Sequence, residues 1–268
     1  MSRNTERERR LLLREYIKLE RKEKKFLSEK ERSPGLFSKV RDKVPEKAMK
    51  SLEAAFEKGF FFLFDKGSGL IDKIGGIEKS RQNAEKYHRS LERMILKSTL
   101  DAVDRSAASK IRITQTTTAL EGFGLGVVGI GLPDIPIFLA MLLKTCYEIA
   151  ASYGIDYRED EEQPYTLELL KVAFSQGEER RRYSEECDRL GRDIDDSEYV
   201  ECDVSEEDMK AVSHVLAADM LVGKFIQGQA IVGVIGGVQN YQLVARVARV
   251  ARIKYKKRFL YRLINREE

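Results

Sequence analysis

Apolar residues recur at three- and four-residue steps along most of the chain, which is the spacing of one face of an α-helix. From Thr5 to about Glu31, Leu11, Leu12, Leu13, Tyr16, Ile17, Leu19, Phe26 and Leu27 form a broken stripe in a stretch dense in Glu, Arg and Lys. That pattern predicts a helix in need of a partner. Ser33-Pro34-Gly35 closes it, since Pro34 disfavours helical geometry at Ser33. Beyond Val44-Pro45, a second helix is predicted from Glu46 to Ile74, with Met49, Leu52, Phe56, Phe60, Leu63 and Phe64 on its buried face. Gly75-Gly76 stops it. A polar helix follows from about Ile77 to Lys97, with Tyr87, Leu91, Met94 and Ile95 as its core side, and it continues with or without a break to Ile113.

The pattern changes after Thr116-Thr117-Thr118. From Gly122 to Leu143 the chain reads GFGLGVVGIGLPDIPIFLAMLL, 22 residues in which Asp134 is the only charge. About 20 apolar residues suffice to cross a bilayer, but Pro133-Asp134-Ile135-Pro136 puts helix breakers and a carboxylate at the midpoint. The better fit is a helical hairpin: a glycine-rich arm up to Leu132, then a helix from Ile135 through Ala151 closed by Gly154. An acidic turn, Asp156 to Glu162, leads into a short helix from Pro164 to Phe174, and residues 178–204 read as an exposed loop or a surface helix. Ser205 and Asp208 have the spacing of a capping box and start a helix carrying Val212, Val215, Leu216, Met220 and Leu221. A second glycine-rich patch, Gly228 to Asn240, precedes the last element, Tyr241 to Ile264. There Val244, Val247, Ala248, Ala251, Tyr255 and Phe259 fall on one side and Arg246, Arg249, Lys256 and Lys257 largely on the other. This predicts a basic amphipathic helix. The expected fold is all-α, seven to nine helices in which two glycine-rich helical hairpins pack against amphipathic helices.

Composition agrees with that class. The 268 residues contain no Trp and only 5 Pro, and 42% hydrophobic content is enough for a core, which excludes a disordered chain and argues against an all-β one. Cys146, Cys187 and Cys202 are too few for a disulfide framework, and the first residues lack the apolar core of a signal peptide, so a cytoplasmic protein is expected. Charge is laid out in blocks. Residues 1–50 carry 17 Lys and Arg against 9 Asp and Glu, residues 51–240 carry 22 against 33, and residues 241–268 carry 9 against 2. Basic ends on an acidic middle either attract anionic lipid or simply form solvated helix faces. Nucleic acid is not expected as a partner, because no zinc-finger, helix-turn-helix or aromatic-platform pattern accompanies the basic ends.

Gly122/Gly126 and Gly233/Gly237 each fall one helical turn apart, which permits close backbone approach. Two readings stay open: buried bundle centre, or shallow insertion into one leaflet. On the second, Phe123, Leu125, Val127, Val128, Ile130 and Leu132, with Ile231, Val232, Val234 and Ile235, are the insertion candidates. Arg246, Arg249, Lys254, Lys256, Lys257 and Arg258 are the headgroup candidates. Asp134, Tyr153 and Asn240 are the polar residues to watch; a cavity converging on them would favour a hydrolase.

The stretches TALEGFGLGVVGIGLPDIPIFLAMLLKTCYEIAASYGIDY (Thr118 to Tyr157) and IVGVIGGVQNYQLVARVARVARIKYKKRFL (Ile231 to Leu260), with KVPEKAMKSLEAAFEKGF (Lys43 to Phe60), resemble the bacterial EcsC family. The resemblance implies a charged N-terminal helical extension over residues 1–42 and an EcsC-like helical domain over 43–268, with 178–204 a charged surface segment. It further implies a bacterial, mostly helical protein in a membrane-related setting; the two nearly uncharged glycine-rich segments together with the basic ends add the expectation of a place peripheral to the inner face of the cell membrane. A membrane transporter complex is the protein partner it suggests. No family reaction is carried over.

His88 and His214 have no ligands at zinc spacing, and Gly124-Leu125-Gly126-Val127-Val128-Gly129 has the letters of a dinucleotide motif without the strand that must precede it. Cys146 and Ser152 lack a nucleophile elbow, and the acidic run at Asp156 lacks the ligand alternation of a calcium loop. No cofactor or metal is expected, and no catalytic residue is assigned.

Overall fold

Helical periodicity is realised throughout the computed structural model, which describes residues 3–29, 44–66, 76–109, 134–226 and 237–266. Among the described residues there are nine α-helices and no strand: α1 (Arg3–Leu27), α2 (Glu46–Lys66), α3 (Ile77–Arg93), α4 (Lys97–Ser109), α5 (Asp134–Ser152), α6 (Glu162–Phe174), α7 (Gly177–Asp195), α8 (Glu206–Ile226) and α9 (Gly237–Asn265). The glycine-rich arms, residues 122–132 and 228–236, lie outside the described residues, and with them all ten insertion candidates.

Two helices carry the centre. In α5, Ile135, Phe138, Leu139, Leu142, Leu143, Cys146, Ile149 and Ala150 are all buried, so apolar side chains cover most of its circumference. Its stretch Ile135–Ser152 has a mean hydropathy of 1.4, long and apolar enough to cross a membrane, yet 83% of it is buried inside the protein. The other central helix, α9, departs from the sequence expectation. Val244, Val247, Ala248 and Ala251 are buried, but so are Val250, Leu260, Lys254 and Arg258, so buried positions run round the helix and it has no free polar face. Helices α1, α5, α6 and α7 enclose it.

Contacts fix the directions. Glu162 meets Arg258, Thr166 meets Tyr255 and the Ala173 carbonyl meets Arg246, so α6 runs antiparallel to α9. Glu23 meets Lys254 and Lys257 while Glu29 meets Arg249, so α1 is antiparallel to α9 as well. Phe56 packs on Phe138, and Gly59 lies against Ile135 and Leu139, which makes α2 antiparallel to α5. Tyr153 packs on Phe259, and Tyr255 is within electrostatic reach of Cys146, so α5 and α9 are parallel. Asp219 meets Arg246, and the short connection from residue 226 to 237 makes α8 antiparallel to α9. One end of the bundle therefore gathers the C-termini of α1, α2, α6 and α8 with the N-termini of α5, α7 and α9.

Local rules account for several boundaries. Asp208 accepts from the Ser205 backbone at 3.1 Å while the Ser205 hydroxyl accepts from the Asp208 backbone at 3.1 Å, a reciprocal cap that starts α8. The charged stretch after Gly177 is a helix whose narrow stripe of Arg180, Tyr183, Ser184, Cys187 and Gly191 is buried. That stripe is too short of aliphatic residues to be read from hydropathy. Gly191 is needed there because a Cβ would lie 2.9 Å from both Tyr165 and Arg258.

At the far end, Gly154 closes α5 with φ +74 and presses on the His88 ring. His88 Nε2 donates to the Tyr153 carbonyl at 3.2 Å. Burial holds the His88 pKa below its usual value, with the bond to Tyr153 opposing that shift. As pH falls, the unfolded chain takes up this proton first. The contribution of neutral His88 is thus fully present above the ordinary value of about 6.5 and is lost as pH drops below it. Urea midpoints should fall from about pH 7.5 to about pH 5.5, and His88→Gln should flatten that slope. An unchanged slope would remove His88 as its source.

Candidate functional site

The nine Lys and Arg residues of the basic C-terminal block all lie on or at the end of α9, and every one is paired. Arg246 forms a two-pronged bond to Asp219 at 2.8 and 3.1 Å. Arg249 pairs with Glu29, Arg252 and Lys256 with Asp104, Arg262 with Asp195, and Arg266 with Glu92. The most enclosed cluster is a ring of two lysines and two carboxylates. Lys254 reaches Glu23 at 2.5 Å and Asp188 at 2.6 Å; Lys257 reaches the same two at 2.7 and 2.6 Å. Ser184 donates to Glu23 through its hydroxyl and accepts from Lys254. The two ammonium groups hold the Glu23 carboxyl below its usual range against the opposing effect of burial, and Glu23 and Asp188 raise Lys257 despite its burial. One turn further, Arg258 binds Glu162 at 2.6 Å and Asp195 at 2.8 Å, and stacks on Tyr165 with its guanidinium 4.4 Å from the ring centre. Burial nevertheless drives the Glu162 carboxyl up, with Arg258 opposing it.

These positions correct the headgroup assignment for part of the set. Lys254 and Arg258 are 2% and 4% exposed, turned inward because each meets carboxylates from helices packed around α9. Arg246, Lys256 and Lys257 are also largely engaged by internal acids, and only Arg249 keeps about half of its side chain in water, at 47%. The acidic middle of the chain and the basic tail are therefore largely each other's counterions.

The lysine–carboxylate ring floors a shallow cleft of about 250 Å³, open mouth included, with Tyr16, Arg192 and Tyr261 near its rim. Each ammonium there already holds two carboxylates, so the floor presents no unpaired cation. Cys187 behind it is fully buried, its thiol pushed up to about 12 by burial, and the Cys146 thiol is raised likewise, which leaves both as inert core thiols. The geometry also sets Tyr153 apart from Asp134 and Asn240, the other polar residues singled out in sequence. Asp134 opens α5, Asn240 lies in the first turn of α9, and Tyr153 follows the last residue of α5, where its hydroxyl donates to Asp104 at 2.8 Å. Nineteen helical residues put Asp134 and Tyr153 about 28 Å apart, so they form no common cavity. No cluster of His, Cys, Asp or Glu suited to a metal occurs among the described residues.

The opposite quality marks the end where α5 and α9 begin. Both near-uncharged glycine-rich segments join the described helices there, one preceding α5 and the other linking α8 to α9. Phe61, on the last turns of α2 at that end, is 60% exposed.

Comparison with known proteins gives a family and little beyond it. The sequence profile of the EcsC protein family matches residues 9–260. Protein EcsC of Bacillus subtilis (strain 168) is 22% identical over 134 residues, 49% of this chain and 53% of that protein. The matched stretch thus spans about half the length of that relative. No solved structure matches the chain.

Proposed function

The chain belongs to the EcsC protein family, and from that premise we propose that it is a non-enzymatic protein that docks peripherally on the cytoplasmic membrane by its glycine-rich end. The observation that carries the reading is that α5 and α9, each preceded in the chain by an uncharged glycine-rich stretch, begin at the same end of the bundle. Phe123 to Leu132 and Ile231 to Val238 contain no charge, and the helix termini that hold them emerge side by side. Shallow insertion into one leaflet is favoured over a complete span, since the one described helix with the length and hydropathy for spanning is enclosed by protein. A membrane transporter complex would offer a comparable apolar face and is the protein partner consistent with this docking.

Flotation of the full chain with phosphatidylcholine–phosphatidylglycerol vesicles tests the reading. The protein should float at low salt and remain in part at high salt, because apolar insertion is not screened. Val128→Asp with Ile235→Asp should weaken flotation by at least about tenfold, given roughly 2–3 kcal/mol for each buried charge. Wild-type protein that stays at the bottom under all these conditions would overturn membrane docking and leave a soluble helical scaffold.

A further inference from the structure

Two stripes run along α1, and only one of them is used within the chain. Leu12, Leu19, Glu23 and Phe26 are buried against α9 and α7. Glu6, Arg10, Leu13, Ile17, Glu20 and Lys24, spaced by alternating steps of four and three, form the second stripe and are all exposed. That alternation is the seam of two helices wound on each other. At its centre Leu13 and Ile17, one turn apart, are 43% and 48% exposed on a helix whose other exposed positions are mostly charged. The seam is also its own complement. Leu13 and Ile17 stand two positions either side of Glu15, Arg10 and Glu20 five, and Glu6 and Lys24 nine. Two copies of α1 laid antiparallel therefore set Leu13 of one copy on Ile17 of the other, Arg10 on Glu20, and Glu6 on Lys24, each contact made twice. A parallel pair would set every charge on its like.

We propose that two copies of this chain associate through the outer seam of α1 as an antiparallel, two-fold symmetric pair. The proposal stands apart from the membrane docking described above. Its charges are available: Glu20 and Lys24 form no ion pair among the described residues, and the bond between Glu6 and Arg10 is an exposed one within the helix, 58% and 77% in water, which is worth little and can be shared with the second copy. The helix is held in place for such a contact, since the Phe26 ring lies between the guanidinium groups of Arg180 and Arg249, 5.0 and 4.9 Å from its centre. The strength is limited on two counts. From Glu6 to Lys24 the seam is about 27 Å long, at the small end of specific interfaces. Arg7, Arg14 and Arg21 flank it on one side, where the two-fold brings arginine toward arginine. Dissociation in the range of roughly 10–100 μM follows. Because α1 runs antiparallel to α9, the glycine-rich ends of the two copies point in opposite directions, so a docked pair has one copy on the bilayer and one held away from it.

Sedimentation velocity of the full chain from about 1 to about 300 μM tests the pairing, with the wild type passing from monomer to dimer across that range. Glu6→Lys with Glu20→Lys makes the seam uniformly positive and should weaken association by at least about a hundredfold, since all four charged contacts turn repulsive. Adding Arg10→Glu and Lys24→Glu inverts every charge, restores the antiparallel match within a single chain, and should bring association back to within about threefold of the wild type. The rescue also shows that the half-reversed protein lost a contact and not its fold. Leu13→Gln with Ile17→Gln should leave a monomer throughout. Wild-type protein that stays monomeric over the whole range would overturn the proposal. So would a dimer that survives the half reversal or the Leu13 and Ile17 changes, by placing the contact on another surface, and so would a full reversal that fails to restore pairing.

Discussion

Replacing Arg258 by Ala should destabilise the protein by about 3–5 kcal/mol, the cost of removing one partner from a buried ion pair, and lower the thermal midpoint by roughly 10 °C. The size follows from what is left behind. Glu162 is wholly buried and would lose the guanidinium that faces it, while the Asp195 side chain, only 1% exposed, would keep Arg262 alone, and neither could recover water without opening the α6–α7–α9 junction. The Tyr165 ring would lose its stacked cation as well. Arg258→Lys should recover only part of the loss, because an ammonium cannot make the forked bond to Asp195 while reaching Glu162. A triple change of Arg258→Met, Glu162→Gln and Asp195→Asn should cost less than Arg258→Ala alone, since it removes the charges together. Chemical denaturation of the four proteins checks the order. A loss below about 1 kcal/mol for Arg258→Ala would mean that water reaches the two acids in solution.

That cluster also marks the boundary of what the sequence discloses. Helices with an apolar stripe were legible in position and kind, because three- and four-residue spacing is a local signal: α2, α3, α6 and α8 begin close to where Pro45, Gly76, Pro164 and the Ser205–Asp208 cap put them, and α6 ends at Phe174 as its periodicity does. Family membership was legible too, in the Leu-Pro-Asp-Ile-Pro turn and the Gly-Gly-Val-Gln-Asn entry to α9. The role of α9 was not. Its cations looked like a polar face because sequence shows a charge without its partner, and the partners here stand on α1, α3, α4, α6, α7 and α8. The acidic residues with no obvious use in the middle of the chain were the available clue, as the opposed charge blocks suggest. Likewise α7 was obscured because its buried stripe is built from Tyr, Ser, Cys and Gly, whose burial is set by Lys254 and Arg258 pressing on them.

Lys254→Met should loosen α1 selectively, speeding hydrogen exchange of its amides by roughly a hundredfold to a few thousandfold, the equivalent of the 3–5 kcal/mol lost when a buried pair is broken. Lys254 is 2% exposed and is bound to Glu23, Asp188 and the Ser184 carbonyl at once. Without it, Glu23 keeps Lys257 alone, and the least costly relief is for α1 to lift and return its carboxylate to water. The contacts opposing that are few: Leu12, Leu19 and Phe26 are the buried apolar residues of α1, whereas α5 and α9 remain packed on several sides. Exchange should therefore rise in α1 well before it rises in α5. Adding Glu23→Leu should restore protection, because the orphaned acid is gone and an apolar side chain fills its place. Uniform acceleration across α1, α5 and α9 would show instead that the lysine–carboxylate ring supports the whole bundle.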